Sequence, residues 1–131
     1  MTSRDLMIGD LVCTKDENRI NILRILGIEA GGSTHIATVH YLSWADCASA
    51  CDVIQIAYLD PIPLTPEILE KNGWVLDEID GSYRNYDNHF WIGGRNAPFG
   101  IEISNIYTEL NYVQELQHAL RLCGIDKEIV L

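Results

Sequence analysis

The side chains best able to do chemistry are four cysteines and four histidines, namely Cys13, Cys47, Cys51, Cys123, His35, His40, His89 and His118. Cys47 and Cys51 are four residues apart and would share one face if that segment were helical. A C-x3-C pair alone is not a zinc knuckle, and the two histidines nearest to it, five residues apart on a strand, would point to opposite faces. The sequence therefore predicts no metal and no cofactor, and favours small buried or surface thiols.

Catalysis by a thiol or an imidazole is the second chemical possibility. A cysteine could meet a histidine in space, and Asp87 could orient His89 as a base. The sequence contains no G-x-S-x-G elbow, no phosphate-binding P-loop and no H-E-x-x-H motif. The run Gly93-Gly94-Arg95-Asn96 could bind an anion through its N–H groups, although a hairpin turn also explains it. The sequence therefore leans against an enzyme, and a small enzyme that uses Cys or His remains an alternative.

The net charge of −10 is spread along the chain, with 4 basic and 8 acidic side chains in residues 1–60 and 5 and 11 in residues 61–131. Such a protein is repelled by phosphate backbones and anionic membranes, so we expect no direct nucleic-acid or membrane partner. No apolar run reaches the roughly 20 residues that a bilayer span needs. Without a signal segment at the N-terminus, the cysteines are interpreted as reduced thiols of a soluble cytoplasmic protein.

An aromatic and basic interval lies between residues 83 and 95, and a polar helix side follows it in the chain. Aromatic rings and arginines are enriched at contacts with partners, although the rings of this interval, Phe90 among them, could instead fill the core. The sequence predicts an interaction surface made of Tyr83, Arg84, Tyr86, Trp91, Arg95, Gln114, Gln117, His118 and Arg121.

The first 60 residues read as a small β subdomain. Apolar and β-branched runs predict strands at 5–15, 20–28, 34–42 and 53–59, with a loop or one helical turn at 43–52. The run 20–28 has apolar residues at both alternating sets of positions, which indicates a strand that is buried on both sides or sharply curved, with Gly27 at the bend. Several short strands with Gly-rich turns predict an SH3-like barrel over residues 1–60.

Residues 61–131 read as an α+β subdomain that begins after a proline-rich crossing at 60–66. Thr65 and Pro66 start a short helix over 66–72, and Gly73 closes it. A β meander follows over 74–104, with turns at 80–81, 87–88 and 93–94. Its last strand alternates, so one face offers a seat for a helix, formed by Phe99, Ile101 and Ile103. The tail 128–131 is expected to add an edge strand.

One long amphipathic helix is predicted over 111–123. Its apolar positions recur three and four residues apart, at Val113, Leu116, Leu120 and Cys123, with Tyr112 and Ala119 widening the stripe. Asn111 and Gln114 have the spacing of a capping box, and Gly124 can end the helix with Ile125 folding back on Leu120. The whole chain is therefore predicted to be α+β and mainly β.

The segments Leu59–Trp74 and Leu110–Gln117, with the strand start Met7-Ile8-Gly9-Asp10, carry a resemblance to a known family. They resemble a family of short uncharacterised proteins from Bacteroides-type gut bacteria and their phages and mobile elements, in which a histidine usually stands where this chain has Gln114. The resemblance implies no activity, and a function that depends on that histidine is not expected for this chain. Together with the acidity and the missing motifs it favours a non-catalytic interaction protein with a protein partner. An acidic mimic of nucleic acid that occupies a DNA-binding partner is a further alternative.

Overall fold

The structure, a computed structural model, describes residues 1, 5–16, 19–31, 34–42 and 51–131. These residues form two compact units, Met1–Ile62 and Pro63–Leu131, called here the first and the second unit. Each unit contains a five-stranded antiparallel sheet, and the second unit also contains two helices. The prediction of a mainly β, α+β fold with one long C-terminal helix is therefore confirmed.

The sheet of the first unit has the order β4-β3-β2-β1-β5. Its strands are β1 (Leu11–Asp16), β2 (Arg19–Gly31), β3 (Thr34–Tyr41), β4 (Cys51–Gln55) and β5 (Asp60–Pro61), with a 3-10 turn at Ile56–Tyr58 after β4. β2 and β3 correspond to the predicted strands 20–28 and 34–42 and pair antiparallel. Most of the predicted loop at 43–52, with Cys47, lies outside the described residues.

β2 is curved and is not buried on both sides. The register against β3 shifts between Ile25 and Gly27, which is the β-bulge that the predicted bend at Gly27 requires. Leu23 and Ile25 are buried, whereas Ile20 is 64% and Leu26 44% exposed. A bulge sends the extra side chain away from the core, so apolar residues at both sets of positions indicate curvature here and not a two-sided core.

The SH3-like barrel is not confirmed, because the described strands form an open sheet with β4 and β5 at its edges. β5 has only two residues, and Pro61 has no N–H to offer to a ladder. The core of the unit comprises Leu6, Val12, Leu23, Ile25, Ala37, Val39, Ile56 and Leu59. Asp10 is fully buried before β1, where its carboxylate accepts the Met7 N–H at 2.7 Å.

The second unit is a meander in which neighbours in sequence are neighbours in the sheet, in the order β10-β9-β8-β7-β6. Its elements are α1 (Pro66–Lys71), β6 (Val75–Asp77), β7 (Ser82–Arg84), β8 (Trp91–Gly93), β9 (Phe99–Ile103), β10 (Ile106–Leu110) and α2 (Val113–Leu122). The predicted meander is confirmed over β6 to β9. It continues one strand further than the sequence predicts, because the chain turns at Ser104 and Asn105 and runs back as β10.

α1 begins at the predicted residue and ends at Lys71, one residue before the predicted end. The Thr65 hydroxyl accepts the Ile68 N–H at 3.3 Å, and Pro66 occupies the first helical position. Gly73 has a φ of 93°, and the Trp74 N–H reaches back to the Leu69 carbonyl at 3.0 Å. This is the Schellman ending that the glycine makes possible.

α2 begins two residues later than predicted and with a different cap. The Glu115 carboxylate, and not Gln114, accepts the N–H groups of Tyr112 and Asn111, at 2.9 and 3.0 Å. A carboxylate is the stronger acceptor at the positive end of a helix, and the Gln114 side chain is buried. The predicted ending at Gly124 is confirmed, with a φ of 69°. Cys123 lies just beyond the helix and is exposed, so it does not belong to the buried stripe.

Two aromatic pairs fill the core of the second unit. Trp74 meets Phe90 edge to face at 6.3 Å and donates its indole N–H to the Phe90 carbonyl at 2.9 Å. Tyr83 meets Phe99 in the same way, with ring centroids 6.1 Å apart. These contacts place half of the aromatic interval of the sequence inside the protein.

The tail does not form the predicted edge strand within residues 51–131. The side chain of Asn72 instead imitates a strand neighbour: its amide nitrogen donates to the Val130 carbonyl and its oxygen accepts the Val130 N–H, both at 2.7 Å. Ile129 is buried next to this anchor. Side-chain pairing of this kind leaves no periodic signal, which is why the sequence does not reveal it.

Candidate functional site

The described residues include three of the four cysteines. Cys13, Cys51 and Cys123 are free. Cys13 is buried, and burial followed by the nearby Asp60 carboxylate raises the pKa of its thiol, which keeps it protonated and unreactive. Among the described residues, no three His, Cys, Asp or Glu side chains converge on a position that could hold a metal ion.

The sheet of the second unit has two distinct faces, which follow from the strand registers. The inner face packs towards α2 and carries Tyr83, Ile92, Phe99, Ile101, Ile103, Thr108 and Leu110. The outer face carries Arg84, Trp91, Gly93, Gly100, Glu102, Tyr107 and Glu109. A binding site on this sheet must therefore lie on its outer face or along one of its edge strands.

The predicted aromatic surface is divided between these two faces. Tyr83 is only 2% exposed on the inner face and is therefore not part of a surface, because its alternate position in β7 points towards the core. Burial, with the charges of Glu70 and Glu67, raises the pKa of its phenol. Trp91 is 53% and Tyr86 64% exposed, so both remain accessible.

Arg84 and Trp91 form a rigid cluster on the outer face. The guanidinium carbon lies 4.3 Å from the centroid of the Trp91 ring, and the same group pairs with Asp80 and, at 3.5 Å, with Asp77. The Ser82 hydroxyl donates to Asp80 at 2.7 Å; this bond, then Arg84, lowers the pKa of that carboxyl. Two carboxylates thus hold the arginine on the indole.

The Arg95 side chain is exposed, but a hydrogen bond holds its guanidinium group in place. Its guanidinium donates to the Glu78 carbonyl at 3.0 Å, across the turn that contains Gly81. For residues 93–96 the sequence allows an anion site but is explained as well by a hairpin turn. In the structure this run connects β8 to β9, and Gly94 takes a φ of 97° that suits glycine.

A cleft of about 830 Å³ opens between β8 and β9. Within residues 51–131 the two strands pair only at Gly93 and Gly100, and beyond this point they separate. Trp91 lines one wall and Glu102 and Tyr107 the other, with His89 and Cys123 also in the lining. The lining combines the Trp91 and Tyr107 rings with the Asp80 and Glu102 carboxylates and the Arg84 guanidinium. With one more carboxylate than guanidinium, the cleft favours a neutral or cationic ligand over an anion.

Tyr107 lies flat on Gly100 in this outer face. A Cβ added at Gly100 would overlap the Tyr107 ring, so the glycine is what lets the ring approach the backbone. The pair is diagonal across β9 and β10, an arrangement in which an aromatic ring covers an otherwise bare glycine. Tyr107 is nevertheless 67% exposed, so its other face is available for contact.

β10 forms one edge of the sheet and is exposed along four of its five residues, from Ile106 to Glu109. Ser104 and Asn105, with φ of 51° and 65°, make a two-residue turn that pairs Ile103 with Ile106. In such a hairpin the flanking residues exchange hydrogen bonds, and alternate residues then point their N–H and C=O groups away. The backbone groups of Tyr107 and Glu109 therefore face outwards.

A smaller groove of about 220 Å³ runs between β10 and α2. Its floor is inner-face sheet, and its helix wall is a stripe of residues at spacings of three, four and seven. The lining residues are Ile101, Ile103, Thr108, Glu109 and Leu110 from the sheet and Glu115, His118, Ala119 and Leu122 from α2. Leu122 at the end of this wall is 80% exposed. The groove is mostly apolar and lies beside the open edge of β10.

The predicted polar side of α2 is narrower than expected. Gln114 and Gln117 are only 5% and 8% exposed and so do not form a surface, because the helix is covered over a wider arc than its apolar stripe indicates. His118 is half-buried and lines the groove, and Arg121 is exposed. Of the predicted helix surface, two of the four residues remain accessible.

The sequence analysis missed Ile106, Tyr107, Glu109 and Leu122, which lie at the edge strand and the groove. A signal for them exists. Ser104-Asn105 supplies two turn-forming residues between two runs of alternating residues, which is the sequence pattern of a tight hairpin. Reading that turn would have extended the meander by one strand and placed an apolar edge next to α2.

The chain is therefore a small α+β protein in which the edge strand β10 lies beside α2. No protein-family model, curated protein or solved structure matches the chain. Within the described ranges, no helix has both the length and the apolar character needed to cross a membrane.

Proposed function

We propose that the chain is a non-catalytic interaction protein that binds a protein partner through its second unit. The observation that carries this proposal is the exposed edge strand β10, with Ile106 and Tyr107 each 67% exposed, lying beside an apolar groove. An open edge with apolar side chains is a template for pairing with another chain, and proteins that leave it uncovered usually use it.

The charges around β10 and the groove support a protein rather than a nucleic acid as the partner. Glu109 lies on β10 itself and Glu102 on its neighbour β9, both on the outer face. Residues 61–131 hold 11 acidic and only 5 basic side chains. Phosphate groups are repelled by such a surface, whereas a basic protein segment is attracted to it.

The proposed setting is the cytoplasm of a bacterium that carries phages or mobile elements. Free thiols at Cys13, Cys51 and Cys123 support a reducing compartment. The resemblance of Leu59–Trp74 and Leu110–Gln117 to short proteins of gut bacteria and their mobile elements supports the biological context.

Photo-crosslinking from the edge tests the proposal. A benzophenone amino acid replaces Tyr107 in one variant and Tyr58, which is 68% exposed in the first unit, in the matched control. In cells that express the chain naturally, we expect one protein adduct from position 107 and none of that size from position 58. An adduct with nucleic acid, the same adducts from both positions, or no adduct at position 107 in any growth or phage-induction condition would contradict the proposal.

A further inference from the structure

We infer that the partner presents an extended segment that adds to β10 as a sixth strand, with alternate apolar side chains in the groove and basic side chains on the outer face. This inference rests on the proposed function and specifies how the partner is held and what chemistry it must have. It is carried by three observations on the second unit, namely the backbone of β10, the groove along α2, and the charges of the outer face.

The backbone of β10 offers a ladder that is already aligned. The hairpin register directs the N–H and C=O groups of Tyr107 and Glu109 away from β9. An added strand about 4.8 Å away could exchange up to four hydrogen bonds with these two residues. Strand addition of this kind takes its affinity from main-chain bonds and its specificity from alternate side chains.

The groove receives one set of those alternate side chains. A strand beside β10 would place its inner-face residues next to Thr108 and opposite the helix wall of Ala119 and Leu122. At about 220 Å³ the groove is smaller than the roughly 300–1,000 Å³ of small-molecule pockets. It therefore fits the aliphatic side chains of a peptide better than a separate ligand.

The outer face contacts the other set of alternate side chains of the added strand. A residue of the added strand on this face would stand beside Tyr107 and Glu109, with the Glu102 carboxylate one strand further in. None of the ion pairs found in the described residues involves Glu109. Lysine or arginine at this position gains a carboxylate and an aromatic ring together.

A second copy of the chain is the competing occupant, and charge argues against it. Each chain carries a net charge of −10, so two copies repel one another, and pairing of two β10 strands would bring four outer-face carboxylates to one sheet margin. A basic segment relieves this repulsion. The inference therefore commits to a basic, extended segment of another protein.

Peptide titration of the isotope-labelled protein, followed by NMR, tests the inference. The probe is a peptide of about six residues, the length of a typical strand, in which valine alternates with lysine. Two matched peptides replace lysine with glutamate or carry N-methyl groups on the residues whose N–H would face β10. We expect shifts at 106–110 and 115–122 with the lysine peptide, and binding at least about tenfold weaker with either control.

Two substitutions at one position separate backbone from charge. Glu109→Ala keeps the outward N–H and removes the carboxylate, so we expect about two- to fivefold weaker binding. Glu109→Pro also removes the N–H, which an edge strand tolerates, and should weaken binding at least about tenfold. Circular dichroism and thermal melting of both variants verify that the sheet persists.

Three results would overturn the inference. They are no binding of the lysine peptide up to about 1 mM, equal binding of the N-methylated peptide, or a protein that sediments as a dimer with its β10 amides already protected. If the crosslink from position 107 still captures a protein, the proposed function stands and only the strand-addition mode fails. If that crosslink captures none, the proposed function itself fails.

Discussion

β9 and β10 are neighbouring strands of equal length in one sheet, yet they have opposite surroundings. In β9 Phe99, Gly100 and Ile101 are buried, whereas in β10 only Leu110 is buried. Both strands carry branched and aromatic residues, so composition does not explain the difference. β9 lies between β8 and β10, whereas β10 is the end strand of this sheet in the part of the chain that the structure describes.

The exposed side chains of β10 therefore contribute little to the core of the protein, whereas Leu110 belongs to it. Ile106 and Tyr107 remove little surface from water, and their exposure leaves a sheet edge that can pair with another chain. Similar residues therefore have a structural role on one strand and are available for binding on the next. Pairs of variants should respond differently if β9 and β10 have these separate roles.

The largest difference is expected between the two aromatic residues of the pair of strands. Phe99→Ala removes a fully buried ring that packs on Tyr83 and should lower the free energy of unfolding by about 3–5 kcal/mol. Tyr107→Ala should lower it by less than about 1 kcal/mol. Urea unfolding of both variants measures the contrast, and equal losses would show that β10 is as buried as β9.

The contact between Gly100 and Tyr107 should produce the next largest effect. Gly100→Ala drives a Cβ into the Tyr107 ring, so we expect a loss of about 1–3 kcal/mol unless the ring swings away. In the Tyr107→Ala background the same change should be nearly neutral, because the obstacle is gone. A double-mutant cycle reads this coupling directly. Additive effects of the two changes would mean that the ring does not rest on the glycine.

Two glutamates near β10 should differ by a smaller amount. Glu115→Ala removes the carboxylate that accepts the Asn111 and Tyr112 N–H groups and should cost about 0.5–2 kcal/mol. Glu109→Ala on the exposed strand should change stability by no more than about 0.5 kcal/mol. Thermal melts of the two variants provide the comparison. A larger loss of stability for Glu109→Ala would show that this side chain stabilises the folded protein, which would contradict its place on the proposed binding surface.

The smallest effect concerns the outer-face cluster. Because the pKa of Asp80 is lowered in the folded protein, its contribution to stability is present above the pKa of an unfolded aspartate and is lost as the pH falls through the folded pKa. The hydrogen bond from Ser82 is the largest cause of the lowered pKa, and the hydrogen bond and charge of Arg84 add to it, so both Ser82→Ala and Arg84→Gln should raise the carboxyl pKa. Carbon-detected NMR titration of Asp80 measures both shifts, and an unchanged carboxyl pKa in either variant would contradict this assignment.

The sequence predicts those parts of the fold that rest on local chemistry. Thr65, Pro66 and Gly73 define α1 because caps act within one turn, and Gly124 defines the end of α2 for the same reason. The inner face of β9 follows from simple alternation. These features depend on neighbours in sequence, so sequence alone predicts them.

The remaining features depend on neighbours in space. Asn72 holds Val130 across 58 residues, and Glu115 takes the capping role because Gln114 turns inwards. Sheet closure in the first unit depends on which edges meet, and alternation along a strand does not encode this. The turn at Ser104-Asn105 is a local signal for β10, but the exposure of Tyr107 depends on sheet order, in which β10 is the end strand among the described residues.

Hydrogen exchange along β10 measures whether this strand is an open edge of the sheet. If β10 is an open edge, the amides of Ile106, Thr108 and Leu110 should be protected by β9, whereas those of Tyr107 and Glu109 should exchange at nearly the rate of an unfolded chain. Adding the lysine peptide should slow exchange at Tyr107 and Glu109 alone among the five. Protection of all five amides in the free, dilute protein would contradict the account, since the edge would then already be paired.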